Sequence, residues 1–330
     1  VIENRLSIGD FVTFNGYLAM LIWPMMAVGF AVSLYQRGMA SFSRIQALLK
    51  DAPEPSIVSE APAPATSLRV DSARGRVEFR NLTFSYGDGP PALHDMSLTL
   101  EPGEKLAIVG RTGCGKSSVI GLLSRLYNPP HGTVLIDGQD VLTVPLNDLR
   151  SLIAVIPQES FLFSDTLRGN IAFGKPDASF EQVQRAARIA EVEGEILSFP
   201  AGYDTPVGER GVTLSGGQRQ RVALARAILR SPKILILDDA LSAVDAETER
   251  RILGHLEEVL ESRTSIVITH RISAIRDFHK IAVLDIGQLT EFGDHETLMR
   301  RNGIYARLYQ LQAMEERFFK EAEALAQADA

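Results

Sequence analysis

One long uncharged run narrows the choice of folds for this chain. It covers 26 residues, from Phe11 to Gln36. At about 1.5 Å per residue, a helix over this run is roughly 39 Å long, which exceeds a hydrocarbon core of ~30 Å. Pro24 lies mid-run, where a kink is tolerated if neighbouring helices satisfy the freed carbonyl group. The run predicts a membrane-spanning helix; the alternative is a buried helix of a soluble domain.

The charges that flank this run predict its orientation. Three basic residues and no acidic one lie in the 14 residues after it, namely Arg37, Arg44 and Lys50. Because basic residues collect on the cytoplasmic side, the chain after Arg37 is predicted to be cytoplasmic, in a bacterial-type inner (plasma) membrane. The chain begins with Val1, so we expect it to be the C-terminal piece of a longer, multi-pass polypeptide.

The overall charge and the cysteine content exclude two classes of protein. A net charge of -7 argues against nucleic acid as the main partner, since phosphate backbones require a basic face. Cys114 is the one cysteine, so no internal disulfide can form, and a reducing compartment is the natural setting.

The remaining sequence divides into a linker, a large domain and a tail. Residues 1–50 hold the predicted membrane helix and its cytoplasmic extension, and residues 51–75 begin with a proline-rich stretch that predicts an extended linker. From 76 to 313, short apolar runs alternate with helical stretches such as Lys116–Tyr127 and Ala246–Glu261, which predicts an α/β domain. Residues 314–330 are rich in Glu and Ala and predict a polar tail. The predicted strands are VEFRNLTFSY, LAIVG, TVLIDG, IAVIPQ, ILILD, SIVITH and IAVLDIG.

A glycine-rich run, GRTGCGKS, follows the apolar segment LAIVG and opens a helical stretch. Its glycines let backbone N–H groups turn inward around a triphosphate, and the helix N-terminus adds partial positive charge. In this spacing Lys116 is placed for the β- and γ-phosphates and Ser117 for Mg²⁺. The predicted ATP-binding residues of this loop are Gly110, Arg111, Thr112, Gly113, Cys114, Gly115, Lys116, Ser117 and Ser118.

A second apolar strand, ILIL, ends in Asp238. Alone this is a weak signal, because many buried strands end in aspartate. Paired with the glycine-rich loop more than 100 residues upstream, it predicts a carboxylate that holds Mg²⁺ through the water shell of the ion.

The run LSGGQ, followed by RQRVALARAIL, carries the most specific signal. With the two preceding motifs, it resembles the nucleotide-binding domain of ATP-binding-cassette proteins. The resemblance implies a RecA-like P-loop ATPase core, with an antiparallel β-subdomain from about Arg76 and a helical subdomain over about 170–214. It also implies a head-to-tail dimer in which this run caps the ATP held by the partner subunit. The run consists of Leu214, Ser215, Gly216, Gly217 and Gln218.

Further positions match the family one by one. The resemblance implies that Tyr86 stacks on adenine and that Gln158 reaches Mg²⁺ and senses the membrane part. It implies that the loop from Ser242 to Asp245 bridges the two ATP sites, and that His270 contacts the γ-phosphate. These positions complete an implied set with ATP and Mg²⁺ as cofactors.

Two stretches resemble exporter-type members of the family. TPVGERG (205–211) is similar to a segment that touches the intracellular loops of the membrane domain, and the uncharged run resembles the last transmembrane helix of exporters. The resemblance covers the chain to about Gln312. It implies a half-transporter that pairs with a second half, and it leaves the transported substrate open.

Asp239 departs from the family pattern, which normally has glutamate after the magnesium aspartate. Aspartate keeps the charge but is one methylene shorter, and a displacement of about 1 Å can cost on the order of 100-fold in rate. This favours a hydrolytically weak site and a non-identical partner. The alternatives are a homodimer in which Asp239 is a working catalytic carboxylate, a regulatory module without turnover, and a soluble cassette ATPase acting in DNA repair or translation.

Overall fold

The computed structural model describes residues 7–50, 72–208, 211, 213–260 and 263–314. The chain divides into two compact units, Val1–Ser59 and Glu60–Ala330. Most of the predicted linker, the tail after Met314, and Glu209 and Arg210 of the TPVGERG stretch lie outside the described residues.

The described residues of the first unit form one helix, α1 (Ile8–Lys50), which is 43 residues long and includes Pro24 without ending there. At about 1.5 Å per residue it is roughly 65 Å long, twice what a ~30 Å hydrocarbon core requires. Within the described ranges, α1 is the one helix long and apolar enough to cross a membrane. The predicted spanning helix and its extension to Lys50 are therefore one continuous element.

The second unit begins with a small antiparallel sheet. Its strands are β1 (Val77–Ser85), β2 (Pro91–Leu100), β4 (Val134–Ile136) and β5 (Gln139–Asp140). They lie in the order β2-β1-β4-β5, and each neighbouring pair is antiparallel. This sheet is the β-subdomain that the family resemblance implies, and it begins next to Arg76 as expected.

A six-stranded sheet forms the centre of the second unit, in the order β10-β9-β3-β8-β7-β6. All neighbouring pairs are parallel except β9 with β10. The order places β3 and β7 on either side of β8, although they are far apart in sequence. The strands are β3 (Lys105–Gly110), β6 (Ile153–Ile156), β7 (Ile234–Asp238), β8 (Thr264–Ile268), β9 (Lys280–Asp285) and β10 (Gln288–Gly293).

Helices cover both faces of this sheet. Three short helices, α4, α5 and α6, lie in the region predicted as the helical subdomain, and α7 follows it. The helices are α2 (Lys116–Leu123), α3 (Leu146–Leu152), α4 (Leu167–Ala172), α5 (Phe180–Ile189), α6 (Glu193–Ser198), α7 (Gly216–Leu229), α8 (Ala246–Leu260) and α9 (His295–Arg301). Residues 304–314 are also helical.

Strand β3 shows why the central strands are apolar throughout. Leu106 and Ile108 pack into the cluster that includes the β-subdomain, whereas Ala107 and Val109 pack into the cluster that includes Tyr305 on the opposite face. Successive side chains of a strand point to opposite faces, so a strand with both faces covered has no polar alternation. The sheet is therefore rigid, and the loops at its edge have fixed starting points.

The structure corrects the predicted elements in two places. The helix predicted over Lys116–Tyr127 ends at Leu123, because Ser124 caps it and Arg125 takes the left-handed conformation with φ 48°. Strands β2, β5 and β10 were not predicted. All three contain polar residues, and β2 and β10 lie at sheet edges, where one side of the strand is not paired.

Candidate nucleotide-binding site

The parallel strand order brings four predicted loops to one edge of the central sheet. The glycine-rich loop follows β3 at Gly110, the segment with His270 follows β8, Asp238 ends β7, and Gln158 follows β6. Because these strands lie in the order β3-β8-β7-β6, the four loops are neighbours at the carboxyl ends of the strands. Such an edge is where ligands bind in open α/β sheets.

Two glycines allow the loop after β3 to pass close to its surroundings. A Cβ on Gly110 would lie 2.1 Å from the carbonyl oxygen of Leu284, and one on Gly115 would lie 2.7 Å from that of Ala92. Both residues also have positive φ, 153° and 100°, which L side chains rarely adopt. Gly115 directly precedes α2, so the loop ends at the N-terminus of that helix, where free N–H groups favour an anion.

Lys116 lies inside this loop. Its side chain is buried, and its Nζ donates hydrogen bonds to the carbonyl oxygens of Gly110 (2.8 Å) and Arg111 (2.9 Å). The Sγ of Cys114, which is also buried, lies 3.7 Å from Nζ. The ammonium group is therefore held within the ring of the loop, where the resemblance implies the phosphates bind, while Arg111 and Thr112 are exposed on its rim.

Several charged side chains affect the carboxyl group of Asp238. Burial raises the pKa of its carboxyl group and the neighbouring charge of Asp239 raises it further, whereas Lys116 and His270 lower it. Lys116 and His270 are therefore each within electrostatic range of the Asp238 carboxyl group. A divalent cation here would relieve the repulsion between the two adjacent carboxylates.

Asp239 is fixed through its backbone. It takes a left-handed conformation with φ 48°, its N–H donates to the carbonyl oxygen of Ile268 (2.8 Å), and its carbonyl oxygen accepts from the N–H of Ser242 (3.2 Å). The first bond ties it to the end of β8. The second ties it to the loop that contains Ser242 and Asp245, whose side chains are exposed.

His270 is exposed, and its backbone is held from the C-terminal side. The side chain of Gln312 donates to the His270 carbonyl oxygen and accepts from the N–H of Ile272 at 2.7 Å. The helical segment 304–314 thus anchors the turn that carries the histidine.

The residues predicted for Mg²⁺ fit a hard cation. Ser117, Gln158 and Asp238 offer a hydroxyl, an amide and a carboxylate oxygen, and the first two side chains are exposed. Within the described ranges there is no group of three or more His, Cys, Asp and Glu residues that could hold a metal. Mg²⁺ bound by these three residues would complete its octahedron with water and substrate phosphate oxygens, which is its usual mode.

Tyr86 belongs to an aromatic group beside the glycine-rich loop. Its ring makes edge contacts with Phe84 and Tyr127, each with centroids 5.0 Å apart. Its hydroxyl lies 2.8 Å from the Oγ of buried Ser118 in α2. The residue is 45% exposed, and its hydroxyl is tied to the first turn of α2.

The LSGGQ run forms the start of α7. Ser215 and Gln218 form a reciprocal capping box, in which the Ser215 Oγ accepts from the Gln218 N–H (3.2 Å) and the Gln218 Oε1 accepts from the Ser215 N–H (2.9 Å). Leu214 is buried, Ser215 is exposed, and both glycines and Gln218 are half-buried. None of the hydrogen bonds or ion pairs among described residues joins 214–218 to the loop 110–118.

The sequence did not point to two further residues at this edge. Gln220 of α7 and Arg271, next to His270, both bond to the segment after β7. Gln220 lies in the run RQRVALARAIL that follows LSGGQ, but no role was assigned to it, and Arg271 lies in none of the motifs.

Comparison with known proteins indicates the family of the chain. The ABC transporter family model matches residues 93–242. The chain is 44% identical over 313 residues to ATP-binding cassette sub-family B member 6 of Xenopus tropicalis, covering 94% of this chain and 36% of the relative. It is 40% identical over 316 residues to the multidrug resistance-like ATP-binding protein MdlA of Escherichia coli (strain K12), covering 96% of this chain and 52% of the relative.

A solved structure gives the same result for the fold. The structure of a bacterial Atm1-family ABC exporter with ATP bound matches with a TM-score of 0.78 and 41% identity, covering 94% of this chain and 53% of that one. The chain thus spans about a third to a half of the length of these relatives. It belongs to the ATP-binding-cassette transporter family, and its residues 93–242 match the model of the ATP-binding domain of that family.

Proposed function

We propose that this chain is the ATP-binding and ATP-hydrolysing part of an exporter half-transporter, and that ATP binding and hydrolysis drive the transport of a substrate across a membrane. The observation that supports the proposal is that the segments with Lys116, Asp238 and His270 lie at the carboxyl ends of the neighbouring strands β3, β7 and β8. Lys116 binds the phosphates, Asp238 with Ser117 and Gln158 holds Mg²⁺, and His270 contacts the γ-phosphate. Tyr86 stacks on the adenine.

The proposed working unit is a head-to-tail dimer. The exposed Ser215 and the half-buried Gly216 and Gly217 lie at the N-terminus of a 14-residue helix, where free N–H groups favour an anion. In the dimer they cap the γ-phosphate bound by the partner subunit. ATP binding closes the two domains on each other, and hydrolysis with product release reopens them.

We further propose that the partner is a non-identical half-transporter and that the site of this chain is hydrolytically weak. Asp239 is one methylene shorter than glutamate, and two backbone hydrogen bonds hold its main chain to Ile268 and Ser242. This chain keeps an intact LSGGQ run, so it completes the competent site of its partner.

One observation favours the alternative of a homodimer. The charge of Asp239 raises the pKa of Asp238, so the two carboxylates lie within electrostatic range of each other. In the homodimer, Asp239 is a working catalytic carboxylate. The two proposals predict losses of different size for Asp239→Asn, small for a weak site and large for a working carboxylate.

The proposed location is a bacterial-type inner (plasma) membrane. In this proposal helix α1 is the last transmembrane helix of a multi-pass protein, and the basic residues after the uncharged run support a cytoplasmic nucleotide-binding domain. The similar solved structure is an ABC exporter and the matching family model is an ABC transporter, which supports membrane transport over a soluble cassette ATPase.

The test uses the full-length protein, with its membrane part and partner, in lipid nanodiscs. Lys116→Ala removes a charge-assisted donor worth about 1.5–3 kcal/mol, so ATP affinity at this site should fall about 10- to 100-fold. Lys175→Ala, at a half-buried lysine outside the edge, is the control. Unchanged Mg-ATP affinity and unchanged turnover in Lys116→Ala would remove the assignment.

A further inference from the structure

Gln220 lies in α7 with its side chain buried, and every polar atom of that side chain is bonded. Its Nε2 donates to the Oγ of Ser242 (3.1 Å) and to the carbonyl oxygen of Gln158 (3.4 Å). Its Oε1 accepts from the N–H of Ala243 (3.0 Å). One buried amide therefore joins three segments: the helix that begins with the LSGGQ run, the segment after β6, and the loop 242–245.

The start of α7 also packs directly on this loop. A Cβ on Gly217 would lie 2.8 Å from the carbonyl oxygen of Ala243, and one on Gly216 would lie 3.3 Å from the Cβ of Ala243. The helix and the loop are therefore in direct contact without a gap, and packed interiors do not deform continuously. A displacement of the loop 242–245 must therefore move the LSGGQ run with it.

Arg271 holds the same loop from the other side. It follows His270, and its guanidinium donates to the carbonyl oxygens of Val244 (3.0 Å) and Ser242 (3.3 Å). The same group pairs with the carboxylate of Glu249, which is buried at the start of α8. The planar fork of arginine suits three simultaneous acceptors, which a lysine cannot match in geometry.

We propose that Gln220 and Arg271 are positioning residues that couple the ATP site of this chain to the LSGGQ run it presents to its partner. The inference rests on the proposed function, since it requires a dimer with two ATP sites. A movement at His270 reaches the loop 242–245 through Arg271. A movement at Gln158 reaches the same loop, and α7, through Gln220. Neither side chain belongs to the predicted nucleotide contacts.

The first experiment separates positioning from binding, in the full-length transporter in nanodiscs. Gln220→Met keeps the length of the side chain but removes all three hydrogen bonds. We expect an ATP dissociation constant within about twofold of wild type and a kcat at least about 10-fold lower. The Hill coefficient for ATP hydrolysis should fall toward 1. The reason is that misplacing a group that does not contact the nucleotide lowers turnover rather than affinity. Arg271→Lys should produce the same split.

Gln182→Met is the control for removing a hydrogen-bonded glutamine elsewhere. Gln182 belongs to the capping box at the start of α5, so its loss should lower the melting temperature without separating kcat from affinity. If Gln220→Met does not fold, Gln220→Glu and Arg271→Lys are judged by the same criteria. Gln220→Glu retains the acceptor for the Ala243 N–H and should lie between wild type and Gln220→Met.

The second experiment tests the contact itself through a double-mutant cycle. Ser242→Ala removes the hydroxyl that Gln220 binds, so its effect on kcat should be smaller in Gln220→Met than in wild type. Additive effects would show that the two residues act independently and would overturn the inference.

The coupling role of Gln220 and Arg271 and the proposed function can be refuted separately. Wild-type kcat and cooperativity in Gln220→Met, together with a Lys116→Ala variant that loses ATP binding, would overturn the inference and leave the proposed function standing. Wild-type behaviour in both variants would remove the proposed function as well. A loss of ATP affinity in Gln220→Met as large as in Lys116→Ala would also overturn the inference, because it would make Gln220 part of the binding site.

Discussion

Asp239 gives the sharpest test of how this chain hydrolyses ATP. The residue follows the magnesium aspartate, and its backbone is bonded to Ile268 at the end of β8 and to Ser242 in the next loop. Asp239→Glu would extend the carboxylate by one C–C bond, about 1.5 Å, without requiring the backbone to move. Asp239→Asn would keep the size and remove the charge.

The expected changes in the rate of ATP hydrolysis follow from this difference in side-chain length. A misplacement of about 1 Å at a reacting group costs on the order of 100-fold in rate, which corresponds to about 2.7 kcal/mol. Asp239→Glu should therefore raise turnover at this site by up to about 100-fold, provided the LSGGQ run of the partner is intact. Asp239→Asn should lower total ATPase activity less than about twofold, because a weak site contributes little to the total.

The assay is ATP hydrolysis by the assembled full-length transporter, measured in steady state and in a single turnover. Asp177→Glu, at an exposed loop aspartate, controls for adding a methylene elsewhere. A loss of about 100-fold or more in Asp239→Asn would contradict the weak-site proposal and favour a homodimer with a working aspartate. If Asp239→Glu does not raise turnover although the partner's LSGGQ run is intact, the length of this side chain does not limit hydrolysis at this site.

Three further predictions test other parts of the site. Tyr86→Ala should weaken ATP binding about 10- to 100-fold, as expected for one stacked base, whereas Tyr86→Phe, which loses only the hydroxyl bonded to Ser118, should weaken it less than threefold in a fluorescence titration. Ser215→Asp keeps a capping side chain but places a negative charge at the N-terminus of α7. It should therefore reduce hydrolysis at the partner's site far more than Ser215→Asn does, and ATP binding at the Lys116 site should stay nearly intact in both variants. Burial and Asp239 raise the pKa of Asp238, so the nucleotide-free protein should gain stability as the pH falls through that raised value, and Asp238→Asn should flatten this part of the melting-temperature profile.

The sequence predicted the parts of the fold that have a periodic or motif signal. Strands β3, β7, β8 and β9 are continuous apolar runs, and each was found where it was expected. The glycine-rich loop was predicted because Gly110 and Gly115 must take positive φ beside neighbouring backbone, which restricts the sequence strongly. The site residues of these motifs stay predictions as to their roles, although the structure brings several of them to one edge.

The edge strands and the end of α2 could not be predicted in the same way. Strand β2 reads PALHDMSLTL, in which polar residues interrupt the apolar ones, and its pairing depends on β1 rather than on its own pattern. Helix α2 was predicted to reach Tyr127, but its chain turns at Arg125, whose guanidinium donates to the carbonyl oxygens of Val141 and Val144. These contacts are 16 and 19 residues away in sequence, and no local pattern encodes them.

The order of the strands decides which loops can influence each other. Because β8 lies between β3 and β7, His270 emerges between the loop of Lys116 and the loop of Asp239, and the next residue, Arg271, is placed to reach the carbonyl oxygens of Ser242 and Val244. On the far side, β6 lies next to β7, so the segment of Gln158 comes within reach of α7 and Gln220. Motifs recognised one at a time in the sequence thus become a connected set only through the crossover order of the sheet. For this reason two residues to which the sequence assigned no role, Gln220 and Arg271, carry contacts between the motifs.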